Sequence, residues 1–269
     1  MRPNGIITLT TDFGLTDSYV GSMKGVILGI APNARLVDIT HVIRPQDIHQ
    51  AAYILQTFYR SFPPGTVHLI IVDPGVGSQR RAIGVETPEA IFVAPDNGIL
   101  AEVWRDAGVC WGPATCAAVE LTERRYWRDQ VSRTFHGRDI FAPVAAHLAT
   151  GVPLSAFGPR LPMIDECTLD PPARGRHGEL VGRIIHIDHF GNCITNITTH
   201  DLEQAGKGVG LVVQIADQQI SGLHPTYADA PVGALIALIG SSEQLELAVR
   251  NGNAAQMLGV EVGNAVRVR

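Results

Sequence analysis

The chain of 269 residues is 45% hydrophobic, enough to bury a sizeable core, and its length suits two domains better than one. Its formal charge is -5 and its basic residues are scattered apart from short pairs such as Arg80-Arg81 and Arg124-Arg125, which argues against nucleic acid as a partner. No stretch near the start resembles a signal peptide and none is long and apolar enough for a membrane span, so a soluble, cytoplasmic protein with no membrane partner is expected.

In the first part of the chain, short apolar runs alternate with amphipathic stretches, the pattern of an α/β domain. IITLT (6–10) reads as a strand, and Tyr19, Met23, Val26 and Ile30 share one helical face in a segment that stops short of a proline. ARLVDI is a second strand. Ile48, Ala51, Ala52, Leu55, Phe58 and Tyr59 then form a helical stripe over 47–62, with Asp47 placed to cap it. TVHLIIVD is almost continuously apolar, as a strand buried on both faces would be. AIGVE and AIFVA, separated by Thr-Pro-Glu, predict a hairpin, and GILAEVWRDAG a helix. FHGRDIFAPVAAHLATG supplies a further helix through Ile140, Val144 and Leu148, with Pro143 tolerable only near its first turn.

Residues 161–178 are rich in proline, glycine and charge and read as a linker between a domain over 1–165 and another over 178–269. Beyond it GRIIHID, CITNIT, GLVVQIA, ALIALIG and AVRVR are strand-like, predicting a small barrel or sandwich. The Leu245/Val249 spacing suggests a helical insertion over 243–250. Cysteines 110, 116, 167 and 193 form no Cys-x-x-Cys pair and read as ordinary thiols. His186 and His189, three apart in an alternating strand, point to opposite faces, so no metal site is expected.

Ligands of open α/β sheets collect beyond the carboxyl ends of the strands, which singles out Asp12 in TTDFG and Asp73 in VDPGVGS; each also suits a plain turn. The glycines of DPGVGSQRR lack both a following Lys-Ser/Thr and the Gly-x-Gly-x-x-Gly spacing, so they fit close approach to a ligand better than a triphosphate cradle. His136, in TFHGRD at the start of a helix, can exchange a proton near neutrality or donate a hydrogen bond; helix capping is the plainer use of that segment. No Gly-x-Ser-x-Gly elbow is present and no cysteine has an evident histidine partner, which leaves covalent catalysis without support.

Together TTDFGLTDSYVGSMKGVI, VDPGVGSQRR, APDNGIL, TFHGRDIFAP and IDHFGNCITNI resemble the S-adenosylmethionine hydrolases (adenosine-forming), or hydroxide adenosyltransferases, relatives of fluorinase and chlorinase. The resemblance runs nearly end to end. It implies an N-terminal α/β domain with a mainly parallel sheet, a smaller C-terminal β-barrel domain, and a homotrimer with ligand sites between subunits. It further implies that Asp73, Arg80 and His136 activate water, a set that the halogenating relatives lack. Asp12 would hold the ribose hydroxyls; Asp188, Phe190 and Asn192 the methionine end and the adenine; Asp17 and Ser242 the amino-acid portion. Gln46 stands where relatives carry an aromatic, and Glu243 where they often have glycine or arginine.

The expected reaction is hydrolysis of S-adenosylmethionine to adenosine and methionine by direct attack of water at the ribose 5′ carbon, without metal or cofactor. A sulfonium leaves as a neutral thioether and needs no Lewis acid; the hard step is removing a proton from water. A halogenase, a non-catalytic S-adenosylmethionine sensor and a generic α/β nucleotide-binding domain are the competing readings.

Overall fold

The computed structural model describes residues 2–112, 115–166, 171–176, 178–206 and 210–269. The chain divides into two compact units, residues 1–167 and 168–269.

Among the described residues of the first unit, seven strands form one sheet in the order β2-β1-β3-β5-β4-β6-β7. These are β1 (Ile6–Thr11), β2 (Arg35–Thr40), β3 (Thr66–Ile71), β4 (Ala82–Glu86), β5 (Ala90–Pro95), β6 (Ala117–Glu120) and β7 (Arg160–Leu161). The core β2-β1-β3-β5 is parallel and β4, β6 and β7 extend it antiparallel. β3 is buried along its whole length because helices cover both faces. Val67, Leu69 and Ile71 pack with α1 (Tyr19–Ile30) and α4 (Ala142–Ala149), while Ile70 and Val72 pack with α2 (Ile48–Phe58) and α3 (Ala101–Trp111). Asp47 caps α2, its side chain accepting the Gln50 N–H.

The helix expected over 135–151 is in two parts: a π-helical turn at Gly137–Phe141 runs into α4, with Pro143 at the first turn of the latter. Proline has no N–H for the carbonyl four residues back, that of Asp139, and that oxygen accepts the Arg128 N–H at 3.0 Å.

The second unit is antiparallel: β8 (Ala173–Arg174), β9 (Leu180–Ile187), β10 (Cys193–Thr198), β11 (Val212–Ile215), β12 (Gln218–Ser221), β13 (Leu235–Ile239), β14 (Gln244–Val249) and β15 (Ala265–Val268). The order is β12-β11-β15-β9-β10-β14-β13 with β8 beside β9, and the end strands β12 and β13 approach each other, nearly closing a barrel. Among the described residues this unit also carries the short helices α5 (Thr199–Gln204) and α6 (Ala254–Leu258).

The helix expected over 243–250 is the strand β14. A spacing of four fits a period of two as well as one of 3.6, and it is Leu247, inward with Leu245 and Val249, that decides for the strand. The linker expected over 161–178 is also partly sheet: Leu161 belongs to β7 and Ala173–Arg174 pair with β9. Residues 167–170 and 177 of that stretch lie outside the described residues. No helix among the described residues is long and apolar enough to cross a membrane.

Candidate active site

In the first unit Thr11 pairs in register with Ile71, so Asp12 and the Val72-Asp73 step leave the sheet side by side at the carboxyl ends of β1 and β3. The following loop turns twice, with Val76 N–H on the Asp73 carbonyl (3.2 Å) and Ser78 N–H on that of Gly75 (3.0 Å). Gly77 has φ 79°, and a Cβ there would stand 2.5 Å from the Arg133 carbonyl oxygen, so only glycine lets the loop lie this close to the 133 segment.

The loop brings Arg80 back onto Asp73. Arg80 Nε donates to Asp73 Oδ1 at 2.9 Å and Oδ2 at 3.1 Å, and its Nη2 donates to Oδ2 and to His136 Nδ1, the latter at 2.9 Å. The two ion-paired side chains are only 11% and 5% exposed, and the guanidinium lies 5.1 Å from the Phe141 ring centre. Arginine has only donors, so His136 Nδ1 must accept and the neutral ring carries its proton on Nε2. Burial, then the Arg80 charge, lowers the His136 pKa below its ordinary value against the opposing pull of Asp73 and Asp139. Nη1 of Arg80 makes no hydrogen bond to the described residues, which leaves two charged N–H groups beside this cluster.

Asp139 holds the segment that carries His136. Fully buried, it accepts hydrogen bonds from Arg138 Nε (2.7 Å) and Nη2 (3.0 Å), Arg128 Nη1 (3.1 Å) and Ser132 N–H (2.8 Å). Burial raises its pKa, but these donors outweigh it and the carboxyl stays below its usual range. Phe135 adds edge contacts to Phe13 and Tyr19, with ring centres 5.9 and 5.2 Å away. Beside His136 opens a cleft of about 760 Å³ lined by Gly77, Ser78, Trp127, Arg128 and Arg133 among others.

Arg81 turns elsewhere. Its Nε donates to buried Asp96 at 2.7 Å, and Asp96 also accepts the Asp165 N–H at 2.8 Å. Asn97 Nδ2 holds the Val72 carbonyl at 2.9 Å, fixing the chain just before Asp73. These anchors, in APDNGIL, were missed as site-shaping residues because their partners are far off in sequence. Asp12 Oδ2 accepts the Gln46 N–H at 2.8 Å, with Gln46 at φ 67°; Asp17 is exposed in the turn before α1.

In the second unit Asp188 organises its own loop: Oδ1 accepts the Phe190 and Asn192 N–H groups and Oδ2 the Asn192 side-chain amide, each at 2.9 Å. Phe190 is left 72% exposed. A cavity of about 940 Å³ is lined by Asp188, Phe190 and Asn192 together with Tyr227, Arg250 and Asn253. The last three went unnoticed in the sequence, although the turn-forming run Asn251-Gly252-Asn253 was a signal for that loop. Ser242 does not line this cavity; it sits in the turn between β13 and β14, its Oγ donating to Gln244 Oε1 at 3.2 Å. Among the described residues no three His, Cys, Asp or Glu side chains converge as a metal site requires.

Two family domains match the chain: the SAM hydroxide adenosyltransferase N-terminal domain over residues 7–158 and its C-terminal domain over 182–267. A relative from Salinispora tropica named (R)-S-adenosyl-L-methionine hydrolase is 38% identical, covering 100% of this chain and 99% of the relative. One of the same name from Thermus thermophilus is 36% identical over 100% of both. A fluorinase from Nocardia brasiliensis is 32% identical, covering 98% of this chain and 96% of the relative. Among solved structures, an uncharacterized conserved protein from Thermotoga maritima superposes with a TM-score of 0.88 at 36% identity, covering 97% of this chain and 99% of that one.

Proposed function

The chain belongs to the SAM hydroxide adenosyltransferase family, and from that premise we propose that it hydrolyses S-adenosyl-L-methionine to adenosine and L-methionine by direct attack of water at the ribose 5′ carbon. The names of the full-length relatives point to the R sulfonium epimer as the one taken. The observation that carries the reading is the partly buried Asp73-Arg80-His136 cluster, which fluorinase-type halide attack does not call for.

Each member has a separate task. Asp73 holds the Arg80 guanidinium in one orientation and accepts the proton that the attacking water sheds. The free Nη1 donors of Arg80 stabilise hydroxide character as it develops. His136, neutral and protonated at Nε2, donates a hydrogen bond that fixes the water opposite sulfur, as in-line displacement requires. The leaving thioether is neutral, so the reaction needs neither metal nor a second cofactor.

Asp12 and Asp17 then bind the ribose and the amino-acid portion, and Phe190 and Asn192 the adenine and methionine groups, with Asp188 holding their loop and Ser242 assisting. The assembly in this reading is a homotrimer with sites between subunits, a proposal that rests on the family resemblance. Unpaired Cys110, Cys116 and Cys193 suit a cytoplasmic location. Incubation with each sulfonium epimer in oxygen-18 water is the test. Adenosine carrying the label at its 5′ hydroxyl is expected; unlabelled adenosine, or a 5′-halo nucleoside as main product in excess chloride or fluoride, sinks the reading.

A further inference from the structure

The cavity of the second unit has a buried carboxylate behind it with no role in the scheme above. Glu246, in the middle of β14, is 7% exposed and makes no ion pair among the described residues. Its neighbours Leu245 and Leu247 point into the barrel, so Glu246 faces the other side of the sheet, where Leu238 and Ala248 pack against Ala230. A leucine could fill that place without the cost of removing a carboxylate from water.

Instead Glu246 Oε1 accepts the Tyr227 hydroxyl at 2.6 Å. Gly240 makes room for the other oxygen, since a Cβ there would stand 2.7 Å from Oε2. Burial raises the pKa of both partners and the Asp188 charge adds to it, while the shared hydrogen bond pulls that of Glu246 back; the proton stays on the phenol. Tyr227 opens a short helical turn that Thr226 and Asp229 cap, and the residue, 44% exposed, lines the cavity with Phe190. The hydroxyl end is thus tied down and the ring body left open.

We propose that Glu246 is a positioning residue that holds the Tyr227 ring as a fixed wall for the flat purine of the substrate. The inference rests on the proposed reaction and deepens it. Two open aromatic rings beside the amide groups of Asn192 and Asn253 suit a heteroaromatic base with donors and acceptors along its edge. A ring already held loses no rotamer freedom when the base arrives.

The experiment measures adenosine affinity by calorimetry, and turnover of S-adenosyl-L-methionine, for wild type, Tyr227→Phe, Glu246→Leu, Glu246→Gln and the Tyr227→Phe/Glu246→Leu pair. Tyr227→Phe keeps the ring and loses only its tether. It and Glu246→Leu are each expected to weaken adenosine binding and raise KM about tenfold, with kcat within twofold of wild type. The pair should be no worse than either single change, and Glu246→Gln, which keeps an acceptor, should recover most of the loss. Unchanged adenosine affinity in Tyr227→Phe, or losses that multiply in the pair, overturns the proposal while wild-type turnover leaves the reaction standing. Wild type that binds adenosine but does not hydrolyse the substrate overturns the reaction and this inference with it.

Discussion

Arg80 donates to His136 Nδ1 at 2.9 Å while its Nε grips Asp73, so a single guanidinium sets both the orientation of the carboxylate and the tautomer of the imidazole. The next residue, Arg81, spends its charge on Asp96. Two arginines adjacent in sequence therefore have different work.

Arg80→Ala should lower the single-turnover rate on the order of 10²-fold or more, by analogy with deleted oxyanion donors, and Arg80→Lys should also be poor because an ammonium lacks the planar fork. Arg81→Ala should cost much less in rate. Rapid-quench measurement of all three decides the matter; wild-type rates in Arg80→Ala would remove the cluster from the mechanism.

The pH profile should follow His136. Folding lowers its pKa, so the neutral ring is kept below the ordinary value near 6.5, and protonation at Nδ1 would put a donor against the Arg80 donor. The acidic limb of kcat/KM should therefore lie below pH 6.5 and be absent from the residual activity of His136→Gln. A limb above pH 6.5 that depends on His136 would contradict the assignment.

Asp139→Ala should unfold the scaffold of the site before it touches the chemistry. It strips a fully buried carboxylate from Arg138, Arg128 and Ser132, and even after discounting for the partly exposed arginines the cost should be about 2 kcal/mol or more. Denaturant melts would show a lowered midpoint, with kcat/KM reduced as His136 loses its place. An unchanged midpoint would mean the segment is held by its aromatic contacts alone.

His68 predicts an acid-sensitive core. Fully buried among Phe58, Tyr59, Phe62 and Phe92 and bonded to Thr8 Oγ1 at 2.8 Å, it is held neutral by burial, with its pKa lowered to about 3. The unfolded chain takes up a proton near pH 6.5 that the folded one refuses, so stability is full above that pH and falls as pH drops toward 3. The loss should reach about 2 kcal/mol by pH 5. Replacing the pair together, Thr8→Val with His68→Phe, should flatten that slope in melts between pH 7 and 5; an equal slope in wild type and the double variant would assign the acid sensitivity elsewhere.

Local pattern determined much of this protein. The fully apolar β3 announced burial on both faces and the stripe after Asp47 announced a capped α2, while the family resemblance grouped Asp73, Arg80 and His136, which the Arg80 hydrogen bonds bring together. Periodicity failed at β14, because residues four apart can share a face of either a strand or a helix, and only pairing with β10 and β13 chose between them. Tertiary structure alone decided that Arg81 meets Asp96, that Asp188 is occupied by its own loop, and that Glu246 lies behind Tyr227. A backbone pattern is written in neighbouring residues, whereas a side chain's hydrogen-bond partner depends on which distant segments the fold brings within 3 Å or so of it.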